Sequence, residues 1–497
     1  MLEYPFAYEK IAPTTWAYLS SLLMLALFFK FNRFWSIRNL DLILIILLSP
    51  GIILIDYGTQ LEQAGRSAIV QPAEIENGEP LPIEAVSIGD QSVAADSVSG
   101  DRVAQIKILR GQRQQRIGYY WLLSMCLVLL IRTLIDPLLT RRPLLTPNLS
   151  VGGMVFLLIS LMAFLYANIL TALPTADDLA AVRSTIKMVQ REVAEEDETL
   201  ELRKRGPGLP LFQLFPIIPT FSNSRELMQT DADQDLNVAR YAIVGSKSLA
   251  IFSQSMIVLG LILIGSWHFN DVKTGFGMAC IYLMLPYTAQ YMGHVIHVLP
   301  GALLVGAVVF FRRPWLAGVM IGLATGVVYY PLFLIPLWIS FYWERGAKRF
   351  VAGLLVAIVV CIATLIFTSA DYEHFSEQIQ ATFGFWFPLM DGLQGIWGLG
   401  WDSSYRLPIL VAFVALCFSF VFWPKEKNLG TLFAYTCVIM LGVQFWHGFE
   451  GGLIMAWFLP LALTTFFRPN TDGRDAKTEL KEKRAAKPES AEDLIGV

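Results

Sequence analysis

Residues 286–349 read PYTAQYMGHVIHVLPGALLVGAVVFFRRPWLAGVMIGLATGVVYYPLFLIPLWISFYWERGAKR. Apolar residues fill this stretch, and Lys or Arg interrupts it at only two places, the Arg312-Arg313 pair and the cluster of Arg345, Lys348 and Arg349. A water-soluble fold could not expose this much apolar surface. We therefore predict that the stretch lies in a lipid bilayer.

The apolar run between the two basic clusters, residues 315–343, is too short for two full membrane crossings. It holds about 29 residues, whereas two crossings need about 40. Both clusters are expected on the cytoplasmic side. Tyr329-Tyr330-Pro331 interrupts the helix, because proline lacks an amide donor and disfavours helix in the residue before it. We predict a hairpin of two short or tilted helices, with a single long kinked span as the alternative.

Similar apolar runs recur along almost the whole chain, and the cores of the first five lie at 22–29, 42–55, 121–130, 155–165 and 257–264. Only 16% of the residues are charged, against roughly 25% in soluble domains. The sequence predicts an all-α fold, a polytopic transmembrane helical bundle of about thirteen spans, with one short helical hairpin and external amphipathic helices. The net charge of −3 does not indicate nucleic acid as a partner, and the lipid bilayer is the expected surrounding.

Basic loops set the expected orientation. Lys30, Arg33 and Arg38 lie between the first two runs, and such loops stay in the cytoplasm, so the N-terminus is expected outside and the C-terminus inside. The predicted segments are two transmembrane helices in 1–56, an external loop with an amphipathic helix in 57–117, two transmembrane helices in 118–172, an external amphipathic helix and interfacial loop in 173–246, transmembrane helices in 247–369, an external aromatic loop in 370–405, three transmembrane helices in 406–467 and a disordered cytoplasmic tail in 468–497.

The external segments allow more than one interpretation. Residues 57–98 favour a loop or short strands. Residues 101–117 form a basic amphipathic helix that either lies on phospholipid headgroups or extends the next span. Residues 176–205 predict a second amphipathic helix, followed by a proline-broken apolar stretch that packs at the interface. On the inner side, Arg132 and Asp136 are four residues apart and predict a structural ion pair.

An ordered series of small and basic residues marks 286–349: Gly293, Arg312, Arg313, Ala317, Gly318, Gly322, Leu323, Ala324 and Pro331. With this series the chain resembles the integral-membrane GT-C glycosyltransferases, most closely glycosyltransferase family 87, whose bacterial members use polyprenyl-phosphate sugars. The family pattern runs Gly-Gln-x-Asn, an apolar span, Arg-Arg, Ala-Gly, Gly-Leu-Ala and Lys-x-x-Pro. The chain departs from it at His294, Ile296 and Val328, and Val328 replaces a lysine that could meet a phosphate.

The resemblance implies an outward-facing carboxylate near the end of an early span, which accepts the proton of the attacking hydroxyl. Asp56, at the outer end of the second span, is our first candidate, although the first hydrated residue after any span would look the same. Asp177 and Asp178 are second candidates, and helix capping is their stronger explanation. The aromatic residues crowded in 380–402 could stack on sugar rings, but they would equally form an interfacial belt.

Four further side chains are candidates for substrate binding. Lys247 and Arg406 near the outer face could hold a phosphate or act as snorkelling anchors. His294 and His297 share one helix face and could hold a metal, a diphosphate or a proton, or form a hydrogen-bonded core pair. No carboxylate or cysteine stands at metal spacing beside them, so no metal site or cofactor is predicted and a divalent metal is not indicated.

The sequence and the resemblance favour a membrane hexosyltransferase that moves a sugar from a polyprenyl-phosphate donor to an acceptor on the outer face of the cytoplasmic membrane of a bacterium. The alternative is a non-catalytic or transport-type multi-pass protein that retains the same scaffold. Transporters tend to show internal repeats and charges at the bilayer midplane, and neither is evident here. The replacement of the family lysine by Val328 keeps the catalytically silent scaffold open.

Overall fold

The computed structural model describes residues 11–70, 100–139, 143–172, 206–214, 233–344, 346–369, 392–425 and 427–469, with single positions in 174–185 and 372–379. Several predictions therefore fall mostly outside the described residues. They concern the rest of the first external loop, the second amphipathic helix, the end of the proline-broken stretch, the aromatic loop and the C-terminal tail, at 71–98, 176–205, 215–221, 380–391 and 470–497. Within the described residues the helices are α1 (Pro13–Phe28), α2 (Ile37–Ile46), α3 (Ser49–Val70), α4 (Gly100–Ile135), α5 (Val151–Thr171), α6 (Leu209–Leu214), α7 (Asp233–Trp267), α8 (Val272–Met284), α9 (Pro286–Tyr291), α10 (Val295–Val309), α11 (Pro314–Val327), α12 (Ile335–Tyr342), α13 (Ala347–Thr368), α14 (Arg406–Phe422), α15 (Leu429–Val443) and α16 (Leu459–Phe467).

Six stretches of the described chain are long and apolar enough to cross a membrane: Ile37–Ala68, Arg102–Leu138, Val151–Thr171, Ala242–Trp267, Ala347–Ile366 and Ser403–Phe422. Six shorter apolar helices accompany them. The prediction of a helical multi-pass membrane protein is confirmed, while the count of about thirteen spans stays a prediction. Helices α4, α5, α13 and α14 lie near the surface of the bundle, because only 22% to 33% of the residues in their most apolar stretches are buried by other parts of the protein. This exposure is expected of helices that face lipid.

The core of the bundle lies around α15, in which every residue is buried. Asn428 begins this helix, because its side chain accepts a hydrogen bond from the amide of Thr431. Helix α15 packs against α4 and α16, and α7 packs against both α8 and α10. This central body positions the loops that carry the site described below.

The predicted break at Tyr329-Tyr330-Pro331 is present in the structure. Helix α11 ends at Val327, a 3₁₀ segment covers Tyr330–Leu334, and α12 follows. The two ends of the segment meet, because the Tyr342 hydroxyl donates to the carbonyl of Phe311 and Gly346 lies against Pro314. A single continuous span of this length would hold those ends about 40 Å apart, so the segment is a hairpin and not one kinked span.

Helices α3 and α4 form a closely packed antiparallel pair. Glycines recur every seven residues on both helices, at Gly51, Gly58 and Gly65 on α3 and at Gly111 and Gly118 on α4. A Cβ atom at Gly58 would lie 2.6 Å from the carbonyl oxygen of Gly111. Only glycine permits this approach of two backbones, as in other membrane helix pairs.

The α3–α4 pair corrects the prediction for the first external segment. The expectation of a loop or short strands from residue 57 is wrong as far as residue 70, because α3 continues to Val70. Residues 101–117 belong to α4, a single helix of 36 residues. At about 54 Å it is longer than the roughly 30 Å hydrocarbon core. Residues 101–117 therefore extend the next span, which is the second of the two interpretations given for them.

The predicted Arg132–Asp136 ion pair is present and belongs to a larger buried network. The Arg132 guanidinium lies 3.0 Å from Asp136 and 2.6 Å from Asp41 on α2. Arg468, after α16, reaches Asp136 at 2.9 Å. The network therefore joins three parts of the chain at one end of the bundle.

Candidate functional site

A cavity of about 370 Å³ lies at the opposite end of the bundle, about 20 Å along the helices from the buried ion network. Three parts of the chain meet there: the α1–α3–α4 region, the α9–α10 corner and the turn after α15. The lining residues are Ile11, Ala12, Pro13, Ile55, Asp56, Thr59, Gln60, Tyr119, Gln290, Tyr291, His294, Glu450 and Leu453. The cavity therefore brings together two predicted site residues that are far apart in sequence, Asp56 and His294.

Asp56 lies on α3 between the close contacts of Gly51 and Gly58. One of its carboxylate oxygens accepts a hydrogen bond of 2.9 Å from the Gln60 side chain, one turn later on the same helix. Tyr119, which follows Gly118 on α4, lines the same wall. The glycine-mediated packing of α3 on α4 thus fixes the relative positions of this carboxylate and this phenol.

His294 stands at the corner between α9 and α10, where it is the first residue before the helix. Its ring packs against Tyr291 at 5.2 Å and His297 at 5.0 Å between centroids. Tyr287 stacks on Tyr291 at 5.4 Å between centroids. Pro286 and Gly293 flank this short corner, so the chain turns sharply and presents a cluster of rings at the cavity.

His297 lies behind this cluster and connects it to the turn after α15. The Tyr287 hydroxyl accepts a hydrogen bond from the amide of Ala456 at 3.1 Å and lies 3.3 Å from Nδ1 of His297. When the hydroxyl donates to Nδ1, the ring proton of His297 lies on Nε2. That nitrogen is 3.7 Å from a carboxylate oxygen of Glu450. This is too long for a direct hydrogen bond but close enough for charge interaction.

Glu450 lines the cavity as a second carboxylate, and sequence reasoning did not select it. Its backbone has φ of 52°, a left-handed conformation that disfavours residues other than glycine and asparagine. The surrounding turn is held by the Gln444 side chain, which accepts from the amide of Gly452 at 3.0 Å, and by the Gly448 carbonyl, which accepts from Gln394. The signal available in the sequence was the glycine-rich HGFEGG between two apolar runs.

The charges around this turn favour an ionised Glu450. Burial alone raises the pKa of its carboxyl, but the neighbouring His297 and His294 lower it by more, and the net pKa lies below the usual value. Burial lowers the pKa of the His447 imidazole to about 3, and its Nδ1 accepts a hydrogen bond from the amide of Phe449. His447 is therefore neutral at physiological pH and supports the turn.

The structure does not bring the other predicted site residues to this cavity. The Lys247 ammonium donates to the carbonyl of Leu170 at 2.7 Å, near the C-terminal end of α5, where helix carbonyls lack intrahelical partners. Arg406 is buried and donates to the carbonyl of Trp446 at 3.1 Å. Asp178 is buried and does not line the cavity, and Asp177 lies outside the described residues. Among the residues that the structure describes, no group of three or more His, Cys, Asp or Glu side chains is arranged to hold a metal ion.

Comparison with known proteins identifies the part of the chain around the ring cluster. No curated protein matches the sequence. The model of glycosyltransferase family 87 matches residues 236–446, which run from α7 through α15 and include Gln290, Tyr291, His294 and His297. Asp56 precedes this range, and Glu450 lies shortly after its end. The chain is therefore a membrane protein whose residues 236–446 form a glycosyltransferase family 87 domain.

Proposed function

We propose that this protein transfers a sugar from a polyprenyl-phosphate donor to an acceptor hydroxyl at the outer face of the cytoplasmic membrane. The observation that carries the proposal is the single cavity lined by Asp56 and His294. One residue lies in the family 87 range and the other on a helix packed beside it. A carboxylate, an imidazole, phenols and amides around one cavity suit a substrate rich in hydroxyl groups.

Asp56 acts as the general base in this proposal. The acceptor oxygen attacks the anomeric carbon, its proton passes to the Asp56 carboxylate, and the bond from the anomeric carbon to the phosphate oxygen breaks. Polyprenyl phosphate leaves with the bonding electrons. A single displacement of this kind inverts the anomeric configuration. His294, in the same cavity, orients the reacting groups by hydrogen bonding.

The donor phosphate is assigned to the rim of the cavity and not to its interior. Asp56 and Glu450 would repel it inside, and no Lys or Arg is present among the described lining residues. Arg116 lies one turn before Tyr119 on α4, and its guanidinium is 3.9 Å from the position of a Cβ atom at Gly400. We assign the phosphate to Arg116 because Lys247 and Arg406, the candidates from sequence, do not line the cavity and donate to backbone carbonyls.

Transfer of labelled sugar from polyprenyl-phosphate donors by the purified full-length protein tests the proposal. Asp56→Asn keeps the size of the side chain and removes the base, so turnover should fall by about 10² to 10⁴. Arg116→Gln should raise the KM for the donor with a smaller effect on kcat. Glu344→Gln is the matched control, because Glu344 is exposed and follows α12, away from the cavity. Absence of turnover with every donor would instead favour the catalytically silent scaffold.

A further inference from the structure

The side-chain amide of Gln290 is buried at the cavity without a partner for either of its polar atoms. Neither the Nε2 nor the Oε1 atom has a hydrogen-bond partner among the described residues, and both are shielded by protein atoms. Gln290 nevertheless lines the cavity. A buried polar group left unpaired costs about 1 to 3 kcal/mol, so this arrangement needs a reason. An amide that both donates and accepts is matched by a hydroxyl group, which also does both.

Glu450 is a second polar group of the same cavity that local structure does not explain. Its side chain keeps 42% of its surface accessible, although the backbone that carries it is strained. The 3.7 Å separation from His297 leaves the carboxylate oxygens able to accept hydrogen bonds from a ligand. Carboxylates bind sugar hydroxyls through such charge-assisted hydrogen bonds.

We propose that Gln290 and Glu450 form a subsite for the hydroxyl groups of an uncharged sugar and determine which glycosyl group the protein accepts. The inference rests on the proposed function, because it names the sugar class that the same cavity binds. An acidic sugar, such as a uronate, would place a third carboxylate beside Asp56 and Glu450. The cavity would therefore discriminate against it by charge repulsion.

Binding of three lipids to the full-length protein in detergent tests the subsite independently of turnover. The probes are bare polyprenyl phosphate, polyprenyl phosphate carrying a neutral hexose and polyprenyl phosphate carrying a hexuronate. The wild type should bind the hexose lipid most tightly. Glu450→Gln and Gln290→Met should each weaken hexose-lipid binding by about 10- to 100-fold and leave bare-lipid binding unchanged. Neither variant should unfold below the wild type, and Gln290→Met should unfold at the same or a higher temperature because it removes an unpaired buried amide. Glu450→Gln should also reduce the difference in affinity between the hexose lipid and the hexuronate lipid. The control Glu344→Gln should leave the affinities for all three lipids unchanged.

The proposed subsite would be wrong if the wild type preferred the hexuronate lipid or bound all three lipids equally. It would also be wrong if the variants lost bare-lipid and hexose-lipid binding to the same extent. The last would mean that these side chains support the fold only. Failure of the proposed function has a different signature. In that case the hexose lipid would bind with the expected dependence on Gln290 and Glu450, but no sugar would be transferred.

Discussion

Replacing Gly111 by alanine tests whether the glycine contacts between α3 and α4 position the cavity. A Cβ atom at Gly111 would lie 2.7 Å from the carbonyl oxygen of Gly58 and 2.8 Å from the amide nitrogen of Glu62. Both neighbours are backbone atoms, so no side-chain rotation can relieve the contact. The helices must separate by about 0.7 Å before the methyl group reaches ordinary van der Waals distance.

The expected result follows from two opposing effects. Alanine raises intrinsic helix stability by about 0.8 to 1 kcal/mol over glycine, whereas overpacking of a close interface destabilises by about 1 to 3 kcal/mol. We expect a net loss of about 1 kcal/mol in thermal unfolding of the purified protein. Because Asp56 and Tyr119 lie on the two separated helices, sugar transfer should fall more than stability does, by up to about 10²-fold for a displacement approaching 1 Å.

Gly152→Ala is the matched control. Gly152 lies in the first turn of α5, and a Cβ atom there would meet nothing within 4 Å. This variant should unfold at the wild-type temperature or slightly above it and keep its activity. Equal unfolding temperatures and equal transfer rates for the two alanine variants would refute the reasoning that the glycine contacts hold the cavity wall in place.

Two further predictions concern charged groups. Arg468→Ala removes one of the guanidinium groups paired with the fully buried Asp136 and should destabilise the protein by about 3 kcal/mol or more. An unfolding temperature within error of the wild type would contradict this role of the network. His447 is neutral in the folded protein because burial lowers its pKa to about 3, so the unfolded state binds a proton more readily below about pH 6.5 and stability falls as the pH falls. Between pH 7 and pH 5 the free energy of unfolding of the wild type should fall by about 2 kcal/mol more than that of His447→Asn, in which an amide oxygen can still accept from Phe449. The neighbouring Arg406, His297 and Glu450 are the same in both proteins. Parallel pH profiles of the unfolding temperature would therefore show that His447 is not the titrating group.

The parts of the fold that the sequence predicted are those decided by local chemistry. The run of apolar residues predicts membrane helices, and Pro331 breaks the helix wherever the bundle places it. The extent of α3 was missed because residues 57–70 are polar and look like a loop. Their helix is stabilised by the seven-residue glycine contacts with α4, and such a pairing becomes visible only when both helices are considered together.

The candidate site was predictable only in part for a similar reason. Asp56 and His294 were selected by their residue types and their positions at span ends. Glu450 and the unpaired amide of Gln290 are set apart by backbone conformation and burial, which a single sequence does not report. Lys247 and Arg406 illustrate the converse, because a cation near the membrane surface looks the same in sequence whether it binds a phosphate or a helix carbonyl.

The backbone of Glu450 offers a way to separate a binding role from a structural one. Among the described residues other than glycine, only Asn270 and Glu450 have positive φ, and asparagine adopts that conformation readily. For Glu450 it costs about 1 to 2 kcal/mol, which Glu450→Gly would relieve at some entropic cost of its own. We expect this variant to unfold no lower than the wild type while hexose-lipid binding weakens, and Asn270→Gly to leave binding unchanged. A strained residue that does not stabilise its own turn must contribute something other than stability, and the proposed contribution is sugar binding. A side chain that only held the turn together would give the opposite result, because stability and binding would then be lost together.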